Sequence, residues 1–369
     1  MATFPYLVLS GPGALTRIGD PNSYDAQVSG ALSTYMSFNH THVELGRYSN
    51  SIKQTVASGN TTRLNAAFYT DSDYIEFTLE NLYDNNFVVF VDDVRVKVTS
   101  TFFQTANSGS RHIVALFLNG KTTRKIDVWV RGEFFNVKVP KPHVISACPL
   151  TDAPKVLLIG DSQTQGTGCA LDTADPFGNT EPGQMGCSFP VLALRSVGAN
   201  AIVAAQGGTG WVNTGSTEAF GTRINTELGI ITAGTLDAVL MVGSGNDKLL
   251  TLATVLANMN SACAAIRAHS PNAKLIFIGP VPTDNVPDST WTTLDTGMAN
   301  YMATLQGTYG SDVYWLSLVN PCWLNPNAAT YVHSGGSHYK NSTATLCAAY
   351  VTTTPVSGYP DGFLQTILG

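Results

Sequence analysis

KVLLIGDSQTQGTG, residues 155–168, contains the turn on which the fold is read. A short apolar run stops at Gly160, and Asp161-Ser162 follow at once. A run of that length, ended by glycine, reads as a strand buried on both faces, as in a parallel sheet. The pattern returns in AIVAAQ (201–206), DAVLMVG (237–243), KLIFIGP (274–280) and VYWLSL (313–318). Helical candidates lie between these runs. In 249–268, Leu252, Val255, Leu256, Met259, Cys263 and Ile266 recur at the spacing of one helix face. Weaker stripes cover 188–197, 291–306 and 340–352. Strands alternating with helices predict an α/β fold, a parallel sheet between two helical layers. Ligands of such sheets bind at the carboxyl ends of the strands.

Upstream of this region the pattern is β. YIEFTLE (74–80), NFVVFVDDVRVKV (86–98), HIVALFLNG (112–120) and KIDVWVRGEFFNVKV (125–139) are rich in β-branched and aromatic residues. Asn, Asp and Gly clusters separate them, and Asp92-Asp93 breaks the alternation as a turn does. Many short strands without helices predict an all-β sandwich, jelly-roll-like, ahead of the α/β part. Residues 1–150 are expected to form this accessory domain, and 151–369 the α/β one. KVPKPHVISACPLTDAP (138–154), with its four prolines, reads as the linker.

Chemistry concentrates after Gly160. A serine becomes a nucleophile when a base takes its proton, and backbone N–H groups must hold the resulting oxyanion. Ser162, at a strand-to-helix turn, can offer its own N–H for the second task. The surrounding residues are not those of the GxSxG elbow. The segment GDSQTQG (160–166) instead resembles the first block of the SGNH, or GDSL-like, hydrolases. Counterparts of their other blocks follow in order. AAQGGTGWVN (204–213) resembles the second, GSGND (243–247) the third, and GGSHYKN (335–341) the last. The resemblance spans roughly 155–352 and implies an SGNH-type α/β/α sandwich. It implies Ser162 as nucleophile and His338 as base, with Gly207 and Asn246 as oxyanion donors. Gly208 is the neighbouring possibility for the glycine.

The chain departs from that pattern twice. Ser244 stands where a glycine usually precedes the asparagine by two. Gly335 stands where the family usually has the aspartate that orients the histidine. No acid lies between Asp312 and Asp361. A Ser–His dyad is therefore expected, unless a carboxylate remote in sequence serves.

Plainer roles compete. Asp161 and Ser162 are good helix caps, and Asp161 is expected to structure the turn at the substrate site. The glycines of 207–210 also read as a tight turn, and Asn246-Asp247 as an Asx turn. His333 is the rival base. Trp211, Trp323 and Tyr331 either line a substrate site or belong to the core. His40 and His42 form an HxH pair without a third clustered ligand, so no metal or other cofactor is expected.

Net charge is −6 with 20 basic residues and no basic block, which argues against nucleic acid. Charged residues make up only 12%, a surface common outside the cytosol or in large assemblies. No apolar run is long enough to span a membrane, and MATFPYLVLSGPG reads as no signal peptide. The six cysteines form no CxxC pair, while Cys169 and Cys187 could bridge a loop in an oxidising compartment. An extracellular or virion-associated setting is favoured over the cytoplasm, and an oligomer is possible.

The expected substrate is a small acyl ester on a carbohydrate, acetyl above all, because a β-sandwich joined to an SGNH domain resembles several carbohydrate esterases. Two alternatives remain open. One is a lipid or aryl-ester esterase, lysophospholipase included. The other is a phage tail or glycan-binding protein whose SGNH domain is weak or inactive.

Overall fold

The structure is a computed structural model. It describes residues 6–10, 23–27, 37–38, 43–45, 52–54, 64–80, 87–98, 111–130, 133–140, 142–148, 153–166, 188–215, 218–282, 287–319, 323, 339 and 341–369. They fall into two compact units. One takes in the strands up to Ala147, and the other begins at Ala153.

The first unit is built of two sheets. In one, Tyr6–Ser10, Arg111–Phe117, Tyr74–Glu80 and Glu133–Pro140 are antiparallel neighbours in that order. In the other, Ile145–Ala147, Leu64–Thr70, Arg124–Val130 and Phe87–Val91 follow one another, also antiparallel. The alternation of sequence becomes burial: Ile75 and Phe77, Val114 and Leu116, Ile126 and Val128, Val137 and Val139 all lie inside. Phe68 of one sheet meets Phe77 of the other at a ring distance of 6.3 Å. Asp92 and Asp93 turn the chain at φ of 49° and 65°, a conformation aspartate tolerates better than most residues.

One expectation is corrected here. The segment 138–154 is not a linker throughout. Glu133–Pro140 continues as a strand paired with Tyr74–Glu80, and Ile145–Ala147 pairs with Leu64–Thr70. Pro140 closes its strand, where a missing N–H is tolerated. Thr70 Oγ1 then donates to Val144 O at 2.8 Å and fixes the corner.

The second unit is a five-stranded parallel sheet. Its strands are β1 (Lys155–Gly160), β2 (Asn200–Ala205), β3 (Ala238–Val242), β4 (Lys274–Ile278) and β5 (Val313–Leu316). Their spatial order is β2-β1-β3-β4-β5, all parallel. Helices α1 (Ser162–Gln165), α2 (Phe189–Ser196), α3 (Phe220–Leu228), α4 (Leu252–His269), α5 (Ser289–Tyr309), α6 (Asn341–Thr353) and α7 (Phe363–Leu368) connect or follow them. One core packs Leu157, Ile159, Ile202, Met241 and Phe277 of the sheet against Phe220, Ile224, Met259 and Met298 of α3, α4 and α5. Helix α2 contacts β2 and packs against α6. The sheet order sets β1 between β2 and β3, so the Gly160-Asp161-Ser162 turn emerges between those two strands.

Candidate active site

Strand β1 ends at Gly160, and α1 turns back over it. A Cβ on Gly160 would collide with the Thr164 side chain, so only glycine permits so tight a start. Asp161 caps α1, its Oδ1 accepting from Gln163 N at 2.9 Å. Gly166, at φ 78°, ends the helix. Ser162 is thereby held at the carboxyl edge of the sheet, half-buried.

The loop after β2 passes directly beside it. A Cβ on Gly207 would stand 3.5 Å from Ser162 Cβ. The Gly207 N–H donates to Gln165 Oε1 at 2.7 Å. Gly208 is exposed and adopts φ 75°, the left-handed turn conformation. Thr209 is buried, and its carbonyl accepts from Asn246 Nδ2 at 2.9 Å. Asn246, after β3, is exposed and keeps a second amide proton beyond that bond. Ser162, Gly207 and Asn246 thus belong to three adjoining loops.

Two buried charges tie these loops together. Asp247 accepts from Trp211 N at 2.5 Å, Asn213 N at 2.8 Å and Ser244 Oγ at 2.6 Å. Gly210 must be glycine, because a Cβ there would overlap the Asp247 carboxylate. Arg223 of α3 is fully buried. It donates to Gly160 O at 2.9 Å, Thr209 Oγ1 at 3.0 Å and Glu218 O at 2.8 Å. Burial lowers its pKa to about 10, against the opposing charges of Glu218, Asp161 and Glu227. One guanidinium therefore links the end of β1 to the loop after β2.

Ser244, the departure from glycine, sits at φ 81°, completely buried. Its hydroxyl bond to Asp247 and its N–H bond to Asp161 hold a conformation that a β-carbon disfavours. Its neighbour Gly243, at φ 110°, lets the loop cross Asp161 with no Cβ against Oδ2. Asp161 is only 4% exposed, and burial raises its pKa to about 6. Backbone bonds from Gln163 and Ser244 and the Arg223 charge restrain the rise, while Asp247 adds to it.

The last block reaches the same place. Tyr339 N–H approaches Gln163 Oε1 at 3.4 Å. The Tyr339 hydroxyl donates to Pro282 O at 2.8 Å and accepts from Trp323 Nε1 at 2.9 Å. The residues following Ser162 and His338 are thus neighbours. His338 itself lies outside the described residues, as do Gly335, His333, Tyr331, His40, His42, Cys169, Cys187 and Cys322.

One expectation is corrected. Trp211 does not line a substrate site: it is 2% exposed and packs in the core edge-on to Phe220 at 5.3 Å. Asp161 structures the turn as expected, buried and with its carboxylate accepting from backbone donors. Sequence reasoning missed Arg223 and the clasp made by Asp247. Phe220, Ile224 and Leu228, four residues apart, were the available signal for α3. Among the described residues no group of three or more His, Cys, Asp or Glu could hold a metal ion. No helix among them is long and apolar enough to cross a membrane.

No family profile and no curated protein sequence matches this chain. Solved structures do. A family two carbohydrate esterase from Clostridium thermocellum, in complex with cellohexaose, aligns at TM-score 0.61 and 14% identity, over 85% of this chain and 95% of its own. An acetyl xylan esterase from the rumen bacterium Butyrivibrio proteoclasticus aligns at TM-score 0.60 and 12% identity, over 88% and 96%. A putative GDSL-like lipase from Bacteroides ovatus aligns at TM-score 0.53 and 12% identity, over 78% and 81%. At such identities the likeness is one of fold, and it extends over most of each chain. The chain has the SGNH/GDSL-like hydrolase fold.

Proposed function

We propose that the protein is a serine ester hydrolase that removes small acyl groups, acetyl first, from a carbohydrate. The observation that carries this reading is the convergence of three separate segments about the turn that holds Ser162. Gly207 lies beside its side chain, Asn246 is joined to the same loop through Thr209, and Tyr339 approaches Gln163.

In this reading His338 takes the Ser162 proton as Oγ attacks the ester carbonyl carbon. The carbonyl oxygen becomes an oxyanion held by the N–H groups of Ser162 and Gly207 and by the Asn246 amide. His338 gives the proton to the leaving alcohol, and water then releases the acyl group by the same route reversed. The oxyanion takes the position that Gln165 Oε1 occupies against Gly207 N–H. With Gly335 in place of the usual acid, the imidazole works as one half of a dyad. That arrangement lowers the rate without abolishing it.

The carbohydrate substrate class draws on the fold's likeness to a carbohydrate esterase holding cellohexaose and to an acetyl xylan esterase. It also fits the low charge of the chain. The test is acyl selectivity. Acetate release from acetylated xylan, with acetyl esters cleaved faster than octanoyl esters, is the expected result. Preference for octanoyl esters replaces this reading with a lipid esterase.

A further inference from the structure

A cavity of about 570 Å³ opens where β5 ends, between α5 and the segment after α6. That volume lies in the range of small-ligand sites. Its walls include Trp315, Tyr350 and Tyr359 and the hydroxyls of Ser317 and Ser357. Asp295 of α5 also lines it, though only 2% exposed. Ser317 Oγ donates to Asp295 Oδ2 at 2.8 Å. Oδ1 is buried and has no hydrogen-bond partner among the described residues. Gly279, just past β4, makes room for this oxygen, since a Cβ there would stand 2.6 Å from it. A buried carboxylate oxygen without a donor is uncommon and calls for one from outside.

The lining narrows the ligand. No Lys, Arg or His is among the described lining residues, so an anion finds no counter-charge. Aromatic rings offer flat apolar faces, while the Ser357 hydroxyl and the carboxylate ask for a partner rich in O–H groups. A quaternary ammonium would use the rings but offer Oδ1 no proton. A sugar ring satisfies all three features at once. We propose that this cavity binds one pyranose unit of a neutral oligosaccharide. Asp295 Oδ1 accepts its hydroxyls, and Trp315, Tyr350 and Tyr359 pack on its apolar faces. Binding there does not depend on ester hydrolysis.

The test is calorimetric titration of cellohexaose, xylohexaose and mannohexaose into the full chain carrying Ser162→Ala. The same titration is made with Asp295→Asn or Ala299→Trp added. Ala299 lines the cavity on α5, and a tryptophan there fills it while leaving the carboxylate in place. At least one hexaose binds the parent. Asp295→Asn weakens it about tenfold, the worth of one charge-assisted hydrogen bond, and Ala299→Trp abolishes it. Absence of binding by all three sugars overturns the proposal, as does unchanged affinity in Ala299→Trp. Binding of ethylammonium or tetramethylammonium in place of the sugars overturns it as well. Failure here leaves ester hydrolysis untouched, because p-nitrophenyl acetate carries no sugar. Failure of hydrolysis leaves this binding untouched, because it is measured without Ser162.

Discussion

The backbone N–H of Tyr339 faces Oε1 of Gln163 at 3.4 Å, across 176 residues of sequence. Each of these residues directly follows one half of the proposed Ser162–His338 pair. Gln163 is buried, so its amide is held in place and acts as a positioning group. Gln163→Ala should lower kcat roughly fivefold, the worth of about 1 kcal/mol, with KM little changed. Gln163→Glu keeps the accepting oxygen and should recover most of the rate. A merely structural role would move Tm in both variants alike and spare the difference between them.

Gln165 occupies the Gly207 N–H that the proposed oxyanion needs. Gln165→Ala removes the competitor. Steady-state kinetics on p-nitrophenyl acetate should show kcat/KM rising about two- to tenfold, the net worth of one hydrogen bond. A fall of the same size would mean that Gln165 orders the Gly207 loop rather than blocking it.

Asp247 accepts four donors from two loops, counting the longer contact with Val212 N at 3.3 Å. Asp247→Asn sets an NH2 group against N–H donors and should cost about 2 kcal/mol, read in urea melts. Ser244→Ala loses only the hydroxyl bond while keeping the left-handed backbone, and should cost about 1 kcal/mol. Ser244→Gly loses the same bond but relieves the backbone, and should fall closer to the parent.

Asp161 gives a pH signature. Its folded pKa, about 6, lies above the ordinary 3.8, because burial penalises the carboxylate. The folded chain therefore binds this proton more tightly than the unfolded chain. Stability from this group rises as pH falls through about 6 and levels off below the unfolded value. Between pH 7 and 5 the gain is about 1 kcal/mol. Subtracting the Asp161→Asn melting profile from that of the parent isolates the effect. A flat difference between pH 7 and 5 would show that Asp161 has an ordinary pKa.

Much of this was legible in the sequence, for physical reasons that differ by element. The β1 run and the Gly160-Asp161-Ser162 turn are local features, and they appear where the sequence puts them. So do α4, whose apolar stripe is unbroken, and the Asp92-Asp93 turn. Helix α3 was harder to read. Phe220, Ile224 and Leu228 mark a stripe, but Arg223 and Glu227 are buried on the same face and break its apolar character. Its first residue also has no side-chain cap to mark it. Trp211 was ambiguous because an aromatic beside a glycine turn suits a sugar site and a core equally. Only its contacts with Phe220 and Phe277 decide for the core. The prolines of 138–154 suggested a linker, yet Pro140 falls at the very end of a strand.

The central claim is that Ser162 is the nucleophile. Hydrolysis of p-nitrophenyl acetate by the parent chain and by Ser162→Ala, both checked for equal Tm, tests it most directly. The account predicts turnover by the parent and a loss of at least about a thousandfold in kcat/KM for Ser162→Ala. Equal turnover by the two, or none by a folded parent, would contradict it.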